Sequence, residues 1–223
     1  MKAYELLGEA RAPDGTALKL MRRGEEYVIL ADGAPLMSSR MHGSEDALAT
    51  LTYEHWRNAS RPCVLIGGLG LGFTLRATLD LLTKDGTAVV AELIPAVVEW
   101  NRGVLGALAG HPLADARTNV AAEDVVATLR NSVARFDAVL LDVDNGPAAF
   151  TVTTNAALYD ERGIATIHHA LKPAGTLAVW ATSGDDKFVG RLRRGGFEAS
   201  VKQVRATAKG RGSRHFIFLA RKK

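Results

Sequence analysis

An apolar strand that breaks into glycines, with a carboxylate roughly twenty residues further on, is a pattern with defined chemistry. The bare backbone admits a ligand, and the acid meets the ribose hydroxyls of an adenosine. Here the strand and loop read Val64-Leu65-Ile66-Gly67-Gly68-Leu69-Gly70-Leu71-Gly72, and Glu92, followed by Leu93, closes the next apolar run. Gly67, Gly68, Leu69, Gly70, Glu92 and Leu93 are therefore the candidate nucleoside site. Two plainer readings stay open: glycines that only let strand and helix pack closely beside a solvated Glu92, and a dinucleotide, which the spacing alone would also suit. Asp142 is the second candidate. It ends the run FDAVLLD and should project from the carboxyl edge of a central strand into the crevice where such sheets bind ligands, or else it simply closes the strand end. His168 and His169 lie in a helix with Ile164, Ile167 and Leu171, and no cluster of His, Cys or Asp has ligand spacing, so no metal is expected.

These residues need a scaffold, and the chain supplies its rhythm after Pro62. The apolar runs CVLIG, TAVVAEL, FDAVLLDV and GTLAVWAT alternate with segments long enough for helices, which the pattern predicts over 72–82, 95–109, 123–131 and 156–171. Runs without polar alternation belong to strands covered on both faces, hence to a parallel sheet. Pro95 suits a first helical turn, and Lys172-Pro173 closes the last of these helices. FEASVKQVRA and SRHFIFLA flank Gly210 and Gly212 and predict an antiparallel hairpin at the sheet edge. The expected fold is α/β, a doubly wound, mostly parallel seven-stranded sheet with that C-terminal hairpin. Ahead of it, ALKLMRR and EYVILA predict a small β-hairpin appendage over 1–43, leaving 44–223 as the catalytic domain. Ser44 opens a helix to Arg57, with Glu45 and Asp46 favouring its positive end.

With 223 residues, 47% of them hydrophobic, the chain can bury one substantial core. Its net charge of +4 is mild, and only the stretch from Lys202 to Lys223 is markedly basic. Such a stretch reads as a solvated face, so nucleic acid is not expected as a partner. Cys63 is the single cysteine, which excludes an intrachain disulfide and suits a reducing compartment. The first residues lack the apolar core of a signal peptide, and no run reaches the roughly eighteen apolar residues of a membrane span, so a cytoplasmic location is expected.

From about Asp32 to Trp180 the chain resembles the spermidine synthase family, whose members share the fold of class I S-adenosylmethionine-dependent methyltransferases. The resemblance rests on Asp32-Gly33, VLIGGLGLGFTLR, VVAELIPAVVEWNR, Ala122-Glu123-Asp124, FDAVLLDVDNGPA and LYDERGIATIHHALKPAGTLAVW, in that order. It implies that Gly67, Gly68 and Gly70 border the methionine part of the cofactor, that Glu92 holds both ribose hydroxyls, and that Asp124 accepts from the adenine amino group. Asp124 also reads as a helix N-terminal charge, and both roles can hold together. Asp142 matches the aspartate that helps deprotonate the attacking amine. The family's second, polyamine-binding aspartate aligns with Asn145, so its charge is missing or has moved to Asp144. Tyr159 either lines the acceptor pocket or packs.

Other positions depart from the family. The glycine loop has Leu69 and Leu71 and no acid, Pro35 or Leu36 stands for a glutamine, and Met41-His42-Gly43 stands for a tyrosine-histidine-glutamate segment. His42 reads as a base or substrate contact, or as an inert loop histidine. A dicationic polyamine needs several carboxylates or aromatic walls, and this crevice reads as too apolar and too neutral for one. The resemblance and its departures together imply an S-adenosylmethionine-dependent methyltransferase acting on a small, less cationic acceptor. The alternatives are an aminopropyltransferase using decarboxylated S-adenosylmethionine, a non-catalytic cofactor-binding module, and a nucleic-acid-modifying enzyme. The exposed edge of the N-terminal hairpin is the expected pairing surface of a homodimer.

Overall fold

A strand whose residues are apolar at every position must be covered on both sides, and the central sheet meets that requirement. The structure is a computed structural model and describes residues 3–143, 157–207 and 212–223. Five strands run parallel: β5 (Cys63–Gly67), β6 (Thr87–Ala91), β7 (Thr118–Ala121), β8 (Phe136–Leu141) and β9 (Leu171–Ala181). The hairpin β10 (Phe197–Arg205) and β11 (Arg214–Lys222) joins antiparallel, giving a seven-stranded order β10-β11-β9-β8-β5-β6-β7. The expected doubly wound sheet with an antiparallel C-terminal hairpin is borne out.

Successive residues of β5 divide between two cores, as the period of a strand requires. Val64 and Ile66 face α1 (Gly43–Trp56), α2 (Phe73–Leu81) and α3 (Pro95–Arg102), packing with Leu48, Trp56, Leu75, Leu79 and Val98. Leu65 faces the other side, with Val125 and Leu129 of α4 (Val125–Arg130), Ile164 and Ile167 of α5 (Glu161–Ala170), and Phe188 and Leu192 of α6 (Asp186–Arg194). β5 lies between β6 and β8, so the chain winds outward in opposite directions from it. That reversal of strand order is the switch point at which open α/β sheets bind ligands, beyond the carboxyl ends of the strands.

The N-terminal segment holds more than the expected hairpin. β2 (Ala17–Arg23) and β3 (Glu26–Ala31) form that hairpin, and β1 (Glu5–Arg11) and β4 (Ala34–Ser38) extend it to a four-stranded antiparallel sheet. Both added strands are mostly exposed and lack apolar alternation, which is why their pattern is weak. Leu18, Leu20 and Ile29 seat this sheet against Leu71 and Leu105 in a third core, beside the glycine loop.

Helix ends differ from the pattern where side chains intervene. The segment predicted as one helix over 95–109 stops at Arg102 and resumes as a short 3-10 turn, Gly106–Ala109, with glycine at 103 and 106. Asp124 and Asp160 accept from the backbone N–H groups of Val126 and Gly163, so α4 and α5 start later than periodicity suggests. α6 is a further helix: in DKFVGRLRR the buried Phe188, Val189 and Leu192 recur at helical spacing among charged neighbours. Among the described residues, no helix is long and apolar enough to cross a membrane.

Candidate active site

Three strand ends converge at the switch point. Gly67 pairs with Ala91 of β6 on one side and Leu141 of β8 on the other. The next residues continue the ladder: the Gly68 N–H donates to the Ala91 carbonyl at 2.9 Å, and the Asp142 N–H to the Gly67 carbonyl at 2.9 Å. Gly68 has φ +85°, and a Cβ there would stand 2.7 Å from the Asp142 carbonyl oxygen, so both conformation and space demand glycine. Gly72, φ +85°, turns the loop into α2. The Asn101 amide braces the loop from below by donating to the Gly70 and Val97 carbonyls at 2.8 and 2.9 Å.

Glu92 is tied to this loop. One carboxylate oxygen accepts from the Leu69 N–H at 2.9 Å and the other from the Ile94 N–H at 2.9 Å, while the residue is only 8% exposed. Burial pushes its carboxyl above the ordinary value, and the backbone N–H groups oppose that shift. Leu69 thus contributes its N–H here and sends its side chain into the core, whereas Leu93, beside Glu92, is exposed. Asp124 caps α4 through an Oδ1 that accepts from the Val126 N–H at 2.8 Å.

Across the switch point the site is made by side chains. Thr74, buried on α2, donates its hydroxyl to Asp142 Oδ2 at 2.7 Å. Asp142 keeps an accessible edge, yet burial pushes its carboxyl up to about 6. Beside it stands Glu45 from the first turn of α1, pushed up to about 8 by burial and then by the charge of Asp142. The sequence pattern does not single out Glu45, since an acid opening a helix reads as a dipole partner. Glu45 is thus a second carboxyl near Asp142, one whose burial favours its neutral form. Ser44, fully buried, donates to Glu45 Oε2 at 2.6 Å, and its hydroxyl lies 2.9 Å from His215 Nδ1 on β11. The Trp180 ring meets His215 edge-on, with centroids 4.7 Å apart.

The remaining candidates divide. His42 is engaged: its ring stacks on Phe73 at 4.2 Å, and its Nδ1 lies 3.0 Å from Asp46 Oδ2, at the junction of α1 and α2. Tyr159 packs in the core, edge-on to Phe188, with its hydroxyl 3.5 Å from the Val143 carbonyl. Asp144 and Asn145 lie outside the described residues.

Sheet order, switch point and hairpin define a Rossmann-like fold of the spermidine synthase type. A spermidine synthase crystallised with the transition-state analogue AdoDATO superposes with a TM-score of 0.75 at 18% identity, covering 98% of this chain and 72% of that one. The spermidine synthase of Thermotoga maritima gives 0.77 at 19% identity, covering 98% and 73%. A probable spermidine synthase of Corynebacterium glutamicum gives 0.71 at 15% identity, covering 97% and 80%. At these identities the likeness is one of fold. No protein-family model matches the sequence, and a search of curated proteins returns no match.

Proposed function

We infer that the chain is a group transferase that binds an S-adenosylmethionine-type sulfonium, and that it transfers the aminopropyl group of the decarboxylated form to an amine. One observation carries this reading: at a single switch point, Glu92 is tied to the glycine loop on one side, and Asp142 stands beside Glu45 on the other. The residues present fit a nucleoside, because each Glu92 oxygen accepts one backbone N–H and retains a further lone pair for a ribose hydroxyl. In this reading Gly67, Gly68, Leu69 and Gly70 border the methionine-derived part, Leu93 flanks the adenosine, and Asp124 meets the adenine amino group. When bound, the sulfonium supplies an electron-poor carbon. The chain's own residues orient the acceptor beside it and exclude water.

Asp142 receives the acceptor's nitrogen and takes its proton, with Thr74 fixing the carboxylate. The Asp142 carboxylate offsets part of the hydration that an ammonium loses on entering the crevice, which favours an amine over the weakly cationic acceptor of the methyl-transfer reading. The fold likeness to spermidine synthases supports the same choice. One observation favours methyl transfer as a second reading: Leu69 and Leu71 are buried and leave the glycine loop without an acid to meet a free aminopropyl ammonium.

Calorimetry separates the two. Tighter binding of decarboxylated S-adenosylmethionine supports aminopropyl transfer, and preference for the carboxylated form overturns it in favour of methyl transfer. In either case Glu92→Ala should weaken cofactor binding about 100-fold, about 2.8 kcal/mol. Unchanged affinity would remove the ribose assignment.

A further inference from the structure

We propose that the outer side of α6 and the β10–β11 hairpin is a docking surface for the phosphate backbone of a nucleic acid. The charge of the chain is unevenly divided: residues 187–223 hold twelve lysines and arginines and one acid, Glu198, a net charge of +11, whereas the first 186 residues sum to −7. The mild total of +4 hides that split. Taken along the sequence, the stretch reads as a solvated face and gives no reason to expect nucleic acid. Folded, its charges are brought together by α6 and the hairpin, and that changes the expectation. Lys209 and Arg211 lie outside the described residues and form no part of the surface.

Strand period and register decide which charges share a face. Phe197 and Ala199 of β10 pack with Phe188, Val189 and Leu192 of α6, so Arg205, an even number of residues further on, lies on the α6 face of the hairpin, and its cross-strand partner Arg214 lies there with it. α6 reaches the same strand through Arg193, whose guanidinium donates to the Ala199 carbonyl at 2.9 Å. Lys187, Arg193, Arg194, Arg205 and Arg214 are all exposed. The negative end of α6 accounts for Arg193 and Arg194. It does not account for Arg205 and Arg214, because two cations directly opposite each other on antiparallel strands repel. Arg205 donates to the Gly212 carbonyl at 3.3 Å, and among the described residues no acid pairs with either arginine. The nearby Asp185 and Glu161 are engaged by Arg191 and Arg194 at 3.6 and 3.8 Å. A repelling pair kept without an internal counter-ion is matched by an anion from outside, and planar guanidinium groups fit phosphate oxygens two at a time. An anionic lipid surface fits less well: among the described residues of α6, β10 and β11, Val201 is the one large apolar side chain that is exposed, at 39%, and interfacial binding needs an apolar face to insert.

Fluorescence anisotropy of the full chain with a labelled single-stranded RNA and a labelled DNA duplex tests the surface and separates the two sources of phosphate. At least one should bind with a Kd of about 1–100 μM near physiological salt, and log Kd should rise linearly with log salt with a slope that counts about three to five phosphates. Arg214→Glu is the variant that decides. It turns the repelling pair into an attracting one, so its Tm should equal or exceed that of the wild type. Its affinity for nucleic acid should nevertheless fall about tenfold, with a slope shallower by about two phosphates. Lys84→Glu makes the same change of charge on an exposed residue between α2 and β6, on the other half of the sheet, and should leave affinity within about twofold. Absence of binding to both nucleic acids at low salt, binding that ignores salt, unchanged affinity of Arg214→Glu, or an equal loss in the two variants overturns the surface. Tighter binding to vesicles of anionic lipid, or displacement of both nucleic acids by polyglutamate at equal charge, overturns the nucleic-acid assignment and gives the surface to a membrane or to an acidic protein.

Discussion

The two sides of the crevice are built by different means. The Glu92 side is made almost entirely of backbone: Gly67 to Gly72 run in sequence, and their N–H groups hold one carboxylate. The Asp142 side is made of side chains from four elements, namely Glu45 and Ser44 on α1, Thr74 on α2, Asp142 after β8 and His215 on β11. A buried carboxylate is stabilised on the first side by fixed backbone dipoles and on the second by a side-chain hydroxyl. The first arrangement suits holding one ligand group still; the second suits a charge that comes and goes.

Gly68 joins the two sides and is the place where the comparison breaks most severely. A side chain at its positive φ costs about 1–2 kcal/mol in strain, and its Cβ would collide with the Asp142 backbone. Gly68→Ala should lower Tm by about 6–12 °C, corresponding to roughly 3 kcal/mol, and abolish cofactor binding. Scanning calorimetry and titration calorimetry on the same sample would check both. Normal cofactor binding would mean that the two sides are not joined through this residue.

Asp142→Asn separates the sides instead of joining them. It should reduce kcat by about 100- to 10,000-fold, the usual range for loss of a general base, and leave cofactor affinity within about threefold, since the Glu92 side is untouched. A parallel loss of affinity would place Asp142 on the cofactor rather than on the acceptor.

The same contrast explains what the sequence made legible. The glycine loop and Glu92 are short-range features in which spacing alone implies geometry, and Asp142 follows from the rule for strand ends. Asp124 satisfies its plainer reading as a cap, which the α4 N-terminus makes visible. Glu45 could not be read, because its helix-opening position accounts for it locally; only the packing of α1 over α2 and β8 turns it inward. The Ser44–His215 contact joins residues at opposite ends of the chain through the hairpin, a pairing that no local pattern encodes. α6 is different: Phe188, Val189 and Leu192 recur at helical spacing behind the Asp185 cap, so this short, mostly charged helix was legible from local pattern.

Glu45→Gln sharpens the comparison through pH. The folded carboxyl of Glu45 sits near 8, against about 4.3 in an unfolded chain, so the folded state binds the proton more tightly. Its contribution to stability is complete below about pH 4 and is lost as pH rises to about 8. The wild type should therefore lose stability across that window relative to Glu45→Gln, and above pH 8 the variant should have the higher Tm. Glu92→Ala should show no such gain, because removing that acid strands two backbone N–H groups that it now satisfies. A Glu45→Gln melting curve parallel to the wild type at every pH would return Glu45 to the helix surface.

The smallest effect is expected where a candidate has packed into the core. Tyr159 is 4% exposed, with its ring edge-on to Phe188 and its hydroxyl at the long distance of 3.5 Å from the Val143 carbonyl. Phenylalanine keeps the ring burial and removes only the hydroxyl. Tyr159→Phe should cost about 1 kcal/mol or less, a shift of no more than about 4 °C in Tm, and leave kcat/KM for the acceptor unchanged. The carbonyl it reaches belongs to the residue after Asp142, so the variant also tests whether that strand end is held from the core side. A tenfold or greater fall in kcat/KM without a change in Tm would restore Tyr159 to the acceptor pocket. A matching fall in both would make it a brace for Asp142.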